Sequence, residues 1–222
     1  MGVAVVIPHG AADGPERVRA RDWVANRYEV IHGLPVTFAP CPTAEWSKGA
    51  AVNPVAAAMD AQTLVVADAD SFVSDVALRS AIDRAESHGW AVAHSTIRRL
   101  TRAATEVVLA GGQPGKLEKP AYVGVAGGGI VVIRRDVYDR VPLDPRFAGW
   151  GGEDHAWGLA LSVLVGVASR RPVSPLWHLW HPPQPTKASP SRATRDLVGR
   201  YKAARRDPVA MAAIVQEVRC DS

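Results

Sequence analysis

The chain has 222 residues, 47% of them hydrophobic, which is enough to bury a substantial core as a single domain. Its formal charge is +4, with an isoelectric point near 9.3, and the basic surplus gathers toward the C-terminus. No apolar run approaches a membrane span, VAVVIP near the start lacks a signal-peptide core, and Cys41 and Cys220 are too few and too distant for a disulfide framework or a zinc knuckle, so a soluble cytoplasmic protein with reduced thiols is expected.

Val3 to Ile7 is a short β-branched run ended by Pro8, the pattern of a buried first strand. A flexible HGAADG follows, and Pro15 opens a helix predicted to run to about Tyr28. This order puts Pro8, His9 and Asp13 at one sheet edge, where part of a nucleotide can bind. Val36 to Ala39 reads as a second strand, and WSKGAAVN leads into an alanine-rich helix ending near Ala61. Lys48 and Asn53 fall in its opening turns, a position suited to a nucleotide's polar edge, although Asn53 also reads as a structural polar group.

The run VVADADSF organises the rest of the chain. An apolar strand, Leu64 to Ala67, stops at Asp68-Ala69-Asp70, and ligands of open α/β sheets gather at such carboxyl ends. On an extended segment, side chains two apart share a side, so both carboxylates are expected to serve one cation. Hard carboxylate oxygens suit Mg²⁺ or Mn²⁺, ions commonly shared with nucleotide phosphates. A plain acidic loop capping the next helix is the competing reading.

Asp75 to His88 reads as an amphipathic helix and Ala91 to His94 as a strand, while Leu109 to Val125 is expected to form loops. Four strand-helix alternations predict an α/β/α sandwich with a mostly parallel central sheet. Gly127-Gly128-Gly129 precedes a buried strand at Ile130 to Ile133, where missing side chains let a ligand approach the backbone. In WGGEDHAWGLAL, Glu153 and Asp154 open an apolar helix behind Trp150, Gly151 and Gly152, and one carboxylate there can take a proton from a hydroxyl. In HLWH, His178 and His181 offer imidazoles, and an oxygen-nitrogen donor set leans toward Mn²⁺ over Ca²⁺. Trp23, Trp46 and Trp90 are expected to be core or surface aromatics, and His32, His88 and His94 to be structural.

These constellations, in this order, resemble the GT-A fold glycosyltransferases over roughly Val3 to Pro183. The likeness is to family 2-type enzymes and to the galactosyltransferase and polypeptide N-acetylgalactosaminyltransferase C-terminal region. WGGEDHAWGLAL resembles the family's WGGED block, VVADADSF its DxD strand end, WSKGAAVN its lysine-to-asparagine segment, and AGGGIVVIRRDVY the glycine-led strand beside the donor sugar. The resemblance implies a GT-A (Rossmann-like) catalytic domain at 1–185, with a basic helical extension at 186–222 packing on or closing over the site. It also implies Asp68 and Asp70 as metal and diphosphate ligands, with Asp70 the more direct one. Asp154 becomes the general base, with Glu153 and Trp150 lining the sugar and acceptor site. His181, favoured by its likeness to the family's HxxH form, or His178 becomes a further metal ligand. Apart from the resemblance, the irregular segment Gln184 to Ser191 is expected to close over the diphosphate, with Lys187 and Arg192 contacting it, and an ordinary linker is the competing reading.

The function expected is a metal-dependent inverting transfer from a nucleotide sugar, a UDP-sugar by family resemblance, to a hydroxyl. Acceptors in play are a saccharide or glycan, a protein or lipid-linked sugar, and a hydroxymethylated base in DNA. The basic residues from Lys187 to Arg206 are compatible with the last, and minimal enzymes of this kind occur in phages that modify DNA, which would place the chain in the host cytoplasm. A nucleotidyltransferase and a non-catalytic nucleotide-sugar or nucleic-acid binding module are the alternatives from other classes.

Overall fold

Apolar runs of about five residues, too short for helices and bounded by turn residues, become the strands of a central sheet, and the longer periodic segments become its covering helices. The computed structural model describes residues 2–10, 13–170, 174–182 and 190–220. In chain order the elements are β1 (Val3–His9), α1 (Pro15–Asn26) continued by a π-helical turn at Arg27–Ile31, β2 (Val36–Pro40), α2 (Lys48–Ala58) and β3 (Thr63–Ala67). Next come β4 (Ser71–Phe72), α3 (Asp75–His88), β5 (Trp90–Val92), β6 (Thr96–Arg99) and α4 (Arg102–Leu109). The chain continues with β7 (Ile130–Arg134), α5 (Arg135–Arg140), α6 (Glu153–Leu164), β8 (Ser169–Arg170), β9 (Pro175–His178), α7 (Arg192–Ala203), a short 3-10 turn and α8 (Pro208–Cys220).

The main sheet has the order β2-β1-β3-β7-β5-β8. It is mostly parallel, and β7 alone runs against its neighbours β3 and β5 among the described residues. Nothing in the apolar run of β7 announces its direction, because a strand buried on both faces looks the same either way. A second, smaller sheet, β4-β9-β6, stands beside the first.

Alternation along the strands sorts the core into two layers. Ala4, Val6, Leu64, Val66 and Val131 face one side, packing with Val52 of α2, Trp157 of α6, and Tyr201 and Met211 of the C-terminal helices. Val5, Ile7, Val65, Ala67 and Val132 face the other, against Val24 of α1, Leu78 of α3 and Val108 of α4. The result is an α/β/α sandwich. Each fully buried valine of β3 contributes on the order of 1.5–3 kcal/mol relative to an exposed one, so Val65→Asp, which would strand a charge between the layers, is the kind of change the fold cannot absorb.

The small sheet positions the chemistry. β4 pairs antiparallel with β9, setting Ser71 opposite His178 and Phe72 opposite Trp177. The histidine segment is thereby drawn against the acidic turn that follows β3. Neither β6 nor α4 was legible as a separate element, since TIRR and RAATEVVL are short and only the glycine-rich loop after the second marks a boundary.

Candidate active site

The strand β3 ends at Ala67, and the chain turns at once, with the Ser71 N–H donating to the Asp68 carbonyl at 3.2 Å. The turn overrides the period-two expectation that both carboxylates serve one cation. Asp68 points toward helix α2 and accepts from Lys48 Nζ at 2.8 Å and from the Gly129 N–H at 3.2 Å. Asp70 points toward the small sheet, where Ser71 Oγ donates to it at 3.1 Å.

Lys48 is the first residue of α2, and the Ser47 side chain caps that helix by accepting from the Ala50 N–H. With its side chain only 5% exposed, Lys48 bridges Asp68 and Asp154, the latter at 2.9 Å. Burial disfavours the ammonium, but Asp154 and then Asp68 hold it charged, well above the ordinary lysine range. Asp154 is shifted upward: burial raises it, Lys48 pulls back, and Asp68 adds to the rise. Its neighbour Glu153 is pushed from 4.5 up to about 7, by burial first and then by the Asp154 charge. One Glu153 oxygen, Oε2, is buried without a hydrogen-bond partner.

Asp70, His178 and His181 form a cluster whose ligand atoms all lie within 4.8 Å of one another. His181 Nε2 is 3.0 Å from Asp70 Oδ2, and His178 Nε2 is 3.5 Å from Oδ1. The 2.8 Å contact of His181 Nδ1 with the Pro182 oxygen makes Nδ1 a donor, since a carbonyl only accepts, and turns Nε2 toward Asp70. One carboxylate and two imidazole nitrogens at these separations are a donor set that fits a divalent ion. Arg17 and Arg99 reach the same nitrogens, at 3.1 Å from His181 and 3.0 Å from His178. For Asp70, burial works against the carboxylate, but His178 and His181, with Arg17, hold it well below the usual range. The His178 imidazole is pushed down by burial, against the pull of Asp70.

Glycines bring the two centres together. A Cβ at Gly127 would sit 2.2 Å from the Asp154 carbonyl oxygen, and one at Gly128 would sit 2.7 Å from Asp154 Oδ2. The triplet therefore makes room for the first turn of α6 and its carboxylate, and not only for a ligand. At the start of α6, Gly152 adopts φ +99, and a Cβ there would strike Val198 at 2.5 Å.

One cleft of ≈ 680 Å³ collects these groups. Pro8, His9, Lys48, Asp68, Ala69, Asp70, Gly128, Gly129, Trp150, Gly151, Gly152, Glu153, Asp154, His178 and His181 all line it. Two expected residues do not. Asn53 is turned inward, its amide donating to the Leu143 carbonyl at 2.9 Å and accepting from Tyr138 Oη at 2.6 Å, which is the structural role. Arg192 is 90% exposed on α7, beside Asp196 at 3.7 Å, and does not reach the lining. Lys187 lies outside the described residues.

The cleft also holds residues the sequence reading passed over. Trp46 stacks on Trp150 with ring centroids 5.5 Å apart and planes 13° from parallel. Arg17 covers the Trp150 ring at 5.3 Å. Arg99 and Tyr122, joined at 3.1 Å, form another wall. Only Trp46 had a signal, its place two residues before the lysine. Arg17 sits in a helix crowded with arginines, and Arg99 lies on the strand that went unseen.

No protein-family model matches the chain, and no curated protein matches it. Solved structures do. GalNAc-T7 with UDP, GalNAc and Mn²⁺ aligns with a TM-score of 0.58 at 14% identity, over 98% of this chain and 55% of that one. S. aureus TarS 1-349 with UDP-GlcNAc gives 0.56 at 8% identity, over 99% and 72%. The catalytic domain of Drosophila beta1,4galactosyltransferase 7 with xylobiose gives 0.54 at 11% identity, over 89% and 79%. The chain thus spans little more than half the length of GalNAc-T7 and has the GT-A fold of these glycosyltransferases.

Proposed function

We propose that this chain is a metal-dependent inverting glycosyltransferase that moves a sugar from a nucleotide sugar, most simply a UDP-sugar, to an acceptor hydroxyl. The observation that carries the reading is the convergence in one cleft of a metal-fitting triad, Asp70-His178-His181, and a separate half-buried carboxylate, Asp154, tied to a buried lysine. A metal-bound nucleotide needs the first, and proton removal from a hydroxyl needs the second.

When bound by Asp70 and the two histidines, Mn²⁺ or Mg²⁺ supplies positive charge to the diphosphate. Pro8 and His9, at the end of β1, bound the nucleoside side of the cleft, and Arg17 and Arg99 add fixed cations near the phosphates. Gly128 and Gly129 leave room for the donor sugar, and Trp150, Gly151, Gly152 and Glu153 line the acceptor side. Asp154 takes the proton from the acceptor oxygen as that oxygen bonds to the anomeric carbon. The bond from that carbon to the phosphate oxygen breaks on the opposite face, its electron pair leaves with the nucleoside diphosphate, and the configuration inverts. The raised Asp154 makes a better proton acceptor than an ordinary aspartate, while Lys48 keeps it ionised.

In this reading, residues 1–185 form the catalytic domain and 186–222 an extension packed on it. Leu197, Tyr201 and Met211 of that extension sit in the shared core, and Tyr201 Oη donates to Asp144 at 2.9 Å. The outer side of the extension carries Arg192, Arg195, Lys202, Arg205 and Arg206. That basic face favours an acceptor bearing phosphates, such as a hydroxymethylated base in DNA of the kind phages carry, over a neutral glycan.

The test is a donor screen with Mn²⁺ and single UDP-, GDP- and TDP-sugars, following nucleoside diphosphate release with and without hydroxymethylated duplex DNA. Metal-dependent release from one donor supports the transferase, and stimulation by that DNA supports the acceptor. Absence of both release and calorimetric donor binding would overturn the reading.

A further inference from the structure

Behind the histidine cluster lies a second cleft, of about 500 Å³, that the transfer chemistry does not use. Side chains alternate along strands, so the Ser71-His178 pair and the next pair, Phe72-Trp177, point to opposite faces of the β4-β9 ribbon. Phe72 and Trp177 floor this cleft. Trp23 and Arg27, from α1 and the turn that continues it, form one wall, and Gln113 from the loop after α4 stands on the other.

The tryptophans of the cleft differ from those of the core in how their N–H groups are used. Trp90 and Trp157 donate to backbone carbonyls, of Gly166 at 2.9 Å and Val141 at 3.0 Å. Trp23 and Trp177 make no hydrogen bond through the indole among the described residues, and neither do the amides of Asn26 and Gln113 on the rim. Arg27 lies over the Phe72 and Trp23 rings, at 5.5 and 6.0 Å, and its Nε is buried without a partner. Its charge is matched by Asp75 at 2.5 Å.

We propose that this cleft binds a pyranose unit of an oligosaccharide. A ring with an apolar C–H face and equatorial hydroxyls packs against the indoles of Trp23 and Trp177 beside Arg27, and its hydroxyls meet the indole N–H groups and the two amides. A nucleic-acid strand is the poorer fit, because phosphates need free cations and the one cation lining the cleft among the described residues is already paired. Arg98, which covers the Trp177 ring at 5.1 Å, lies outside the lining. The inference concerns binding and stands apart from the transferase reading.

The full chain with isotope-labelled indoles is titrated, without donor or metal, with xylohexaose, cellohexaose and chitohexaose in turn, and separately with an oligo-dT strand. At least one saccharide shifts the indole signals of Trp23 and Trp177, assigned through Trp23→Phe and Trp177→Phe, and leaves those of Trp90 and Trp157 in place. Asn26→Ala combined with Gln113→Ala, both on the surface, weakens that binding about tenfold, the equivalent of one or two hydrogen bonds. Saccharides that leave both signals unmoved, or shift only Trp46 and Trp150, overturn the proposal. So does movement of the pair by oligo-dT alone, which would mark a nucleic-acid cleft.

Discussion

Asp68 and Asp70 stand two residues apart in one turn and are balanced in opposite ways. Asp68 meets a lysine that cannot leave, 2.8 Å away and 5% exposed, and a backbone N–H besides. Asp70 meets two imidazoles, groups that carry a proton or a metal ion but hold no permanent charge. The difference shows that an acidic pair in sequence need not be a pair in function. In the function proposed above, one carboxylate would belong to the scaffold around Asp154, and the other to an exchangeable cation.

The largest effect follows from breaking the exchangeable half. Asp70→Asn removes the one carboxylate of the triad, and Mn²⁺ binding by calorimetry should vanish, with turnover falling at least about a thousandfold, or ~4 kcal/mol of transition-state stabilisation. Asp68→Asn should keep Mn²⁺ binding within a small factor. Equal loss of Mn²⁺ in both variants would erase the division drawn between them.

Next in size is the permanent half. Lys48→Met leaves Asp68 and Asp154 facing each other without their cation, a loss of about 2–3 kcal/mol, below the fully buried case because their side chains are 33% and 29% exposed. Urea unfolding should register that loss, and adding Asp154→Asn to the same chain should recover part of it, because the repulsion is halved. Additive losses would mean that the three groups are not coupled.

The same contrast explains what could be read in the chain. That Asp68, Asp70, Glu153 and Asp154 line one cleft was legible because a strand end and a helix start in an α/β sheet fall at the same sheet edge. The α/β sandwich was legible because its strands are continuous apolar runs between periodic helices. The partition of the two aspartates was not, since it rests on a turn starting at Asp68, and the VADADS string reads equally well as extended. Asn53 misled for a similar reason: its inward hydrogen bond depends on Tyr138, 85 residues away, which local spacing cannot supply. The antiparallel course of β7 and the arrival of Arg99 beside His178 are likewise long-range facts.

A titration sharpens the comparison from the other carboxylate pair. Glu153 rises from 4.5 to about 7 on folding, chiefly through burial and then through Asp154. The folded chain therefore keeps its proton where the unfolded chain has lost it. Stability from this group is complete below about 4.5 and is lost as pH rises through 7, a fall of ~3 kcal/mol at ~1.4 kcal/mol per pH unit. Glu153→Gln cannot ionise, so its stability relative to the parent should improve by up to that amount between acidic and mildly alkaline buffer. A parent-to-variant difference that ignores pH would mean Glu153 is solvated as an ordinary glutamate.

The smallest effect lies on the acceptor side, where shape outweighs charge. Trp46 and Trp150 stack 5.5 Å apart, and the Gly149 N–H donates to the Trp46 carbonyl at 2.8 Å, so backbone and ring together tie the glycine-rich loop to the approach of α2. Trp46→Leu keeps the backbone bond and removes the ring, forfeiting an aromatic contact worth about 0.5–1.5 kcal/mol. Among the described residues no hydrogen bond or ring contact joins the Trp46 ring to either charge centre, so Mn²⁺ affinity and the donor KM should hold. The acceptor KM should rise a few fold, about fivefold for a loss of ~1 kcal/mol, with kcat nearly kept, because a looser platform weakens ground-state and transition-state binding alike. A fall in kcat at constant KM would instead place Trp46 in the aiming of Asp154, and would extend the permanent half of the site across the loop to the tryptophan stack.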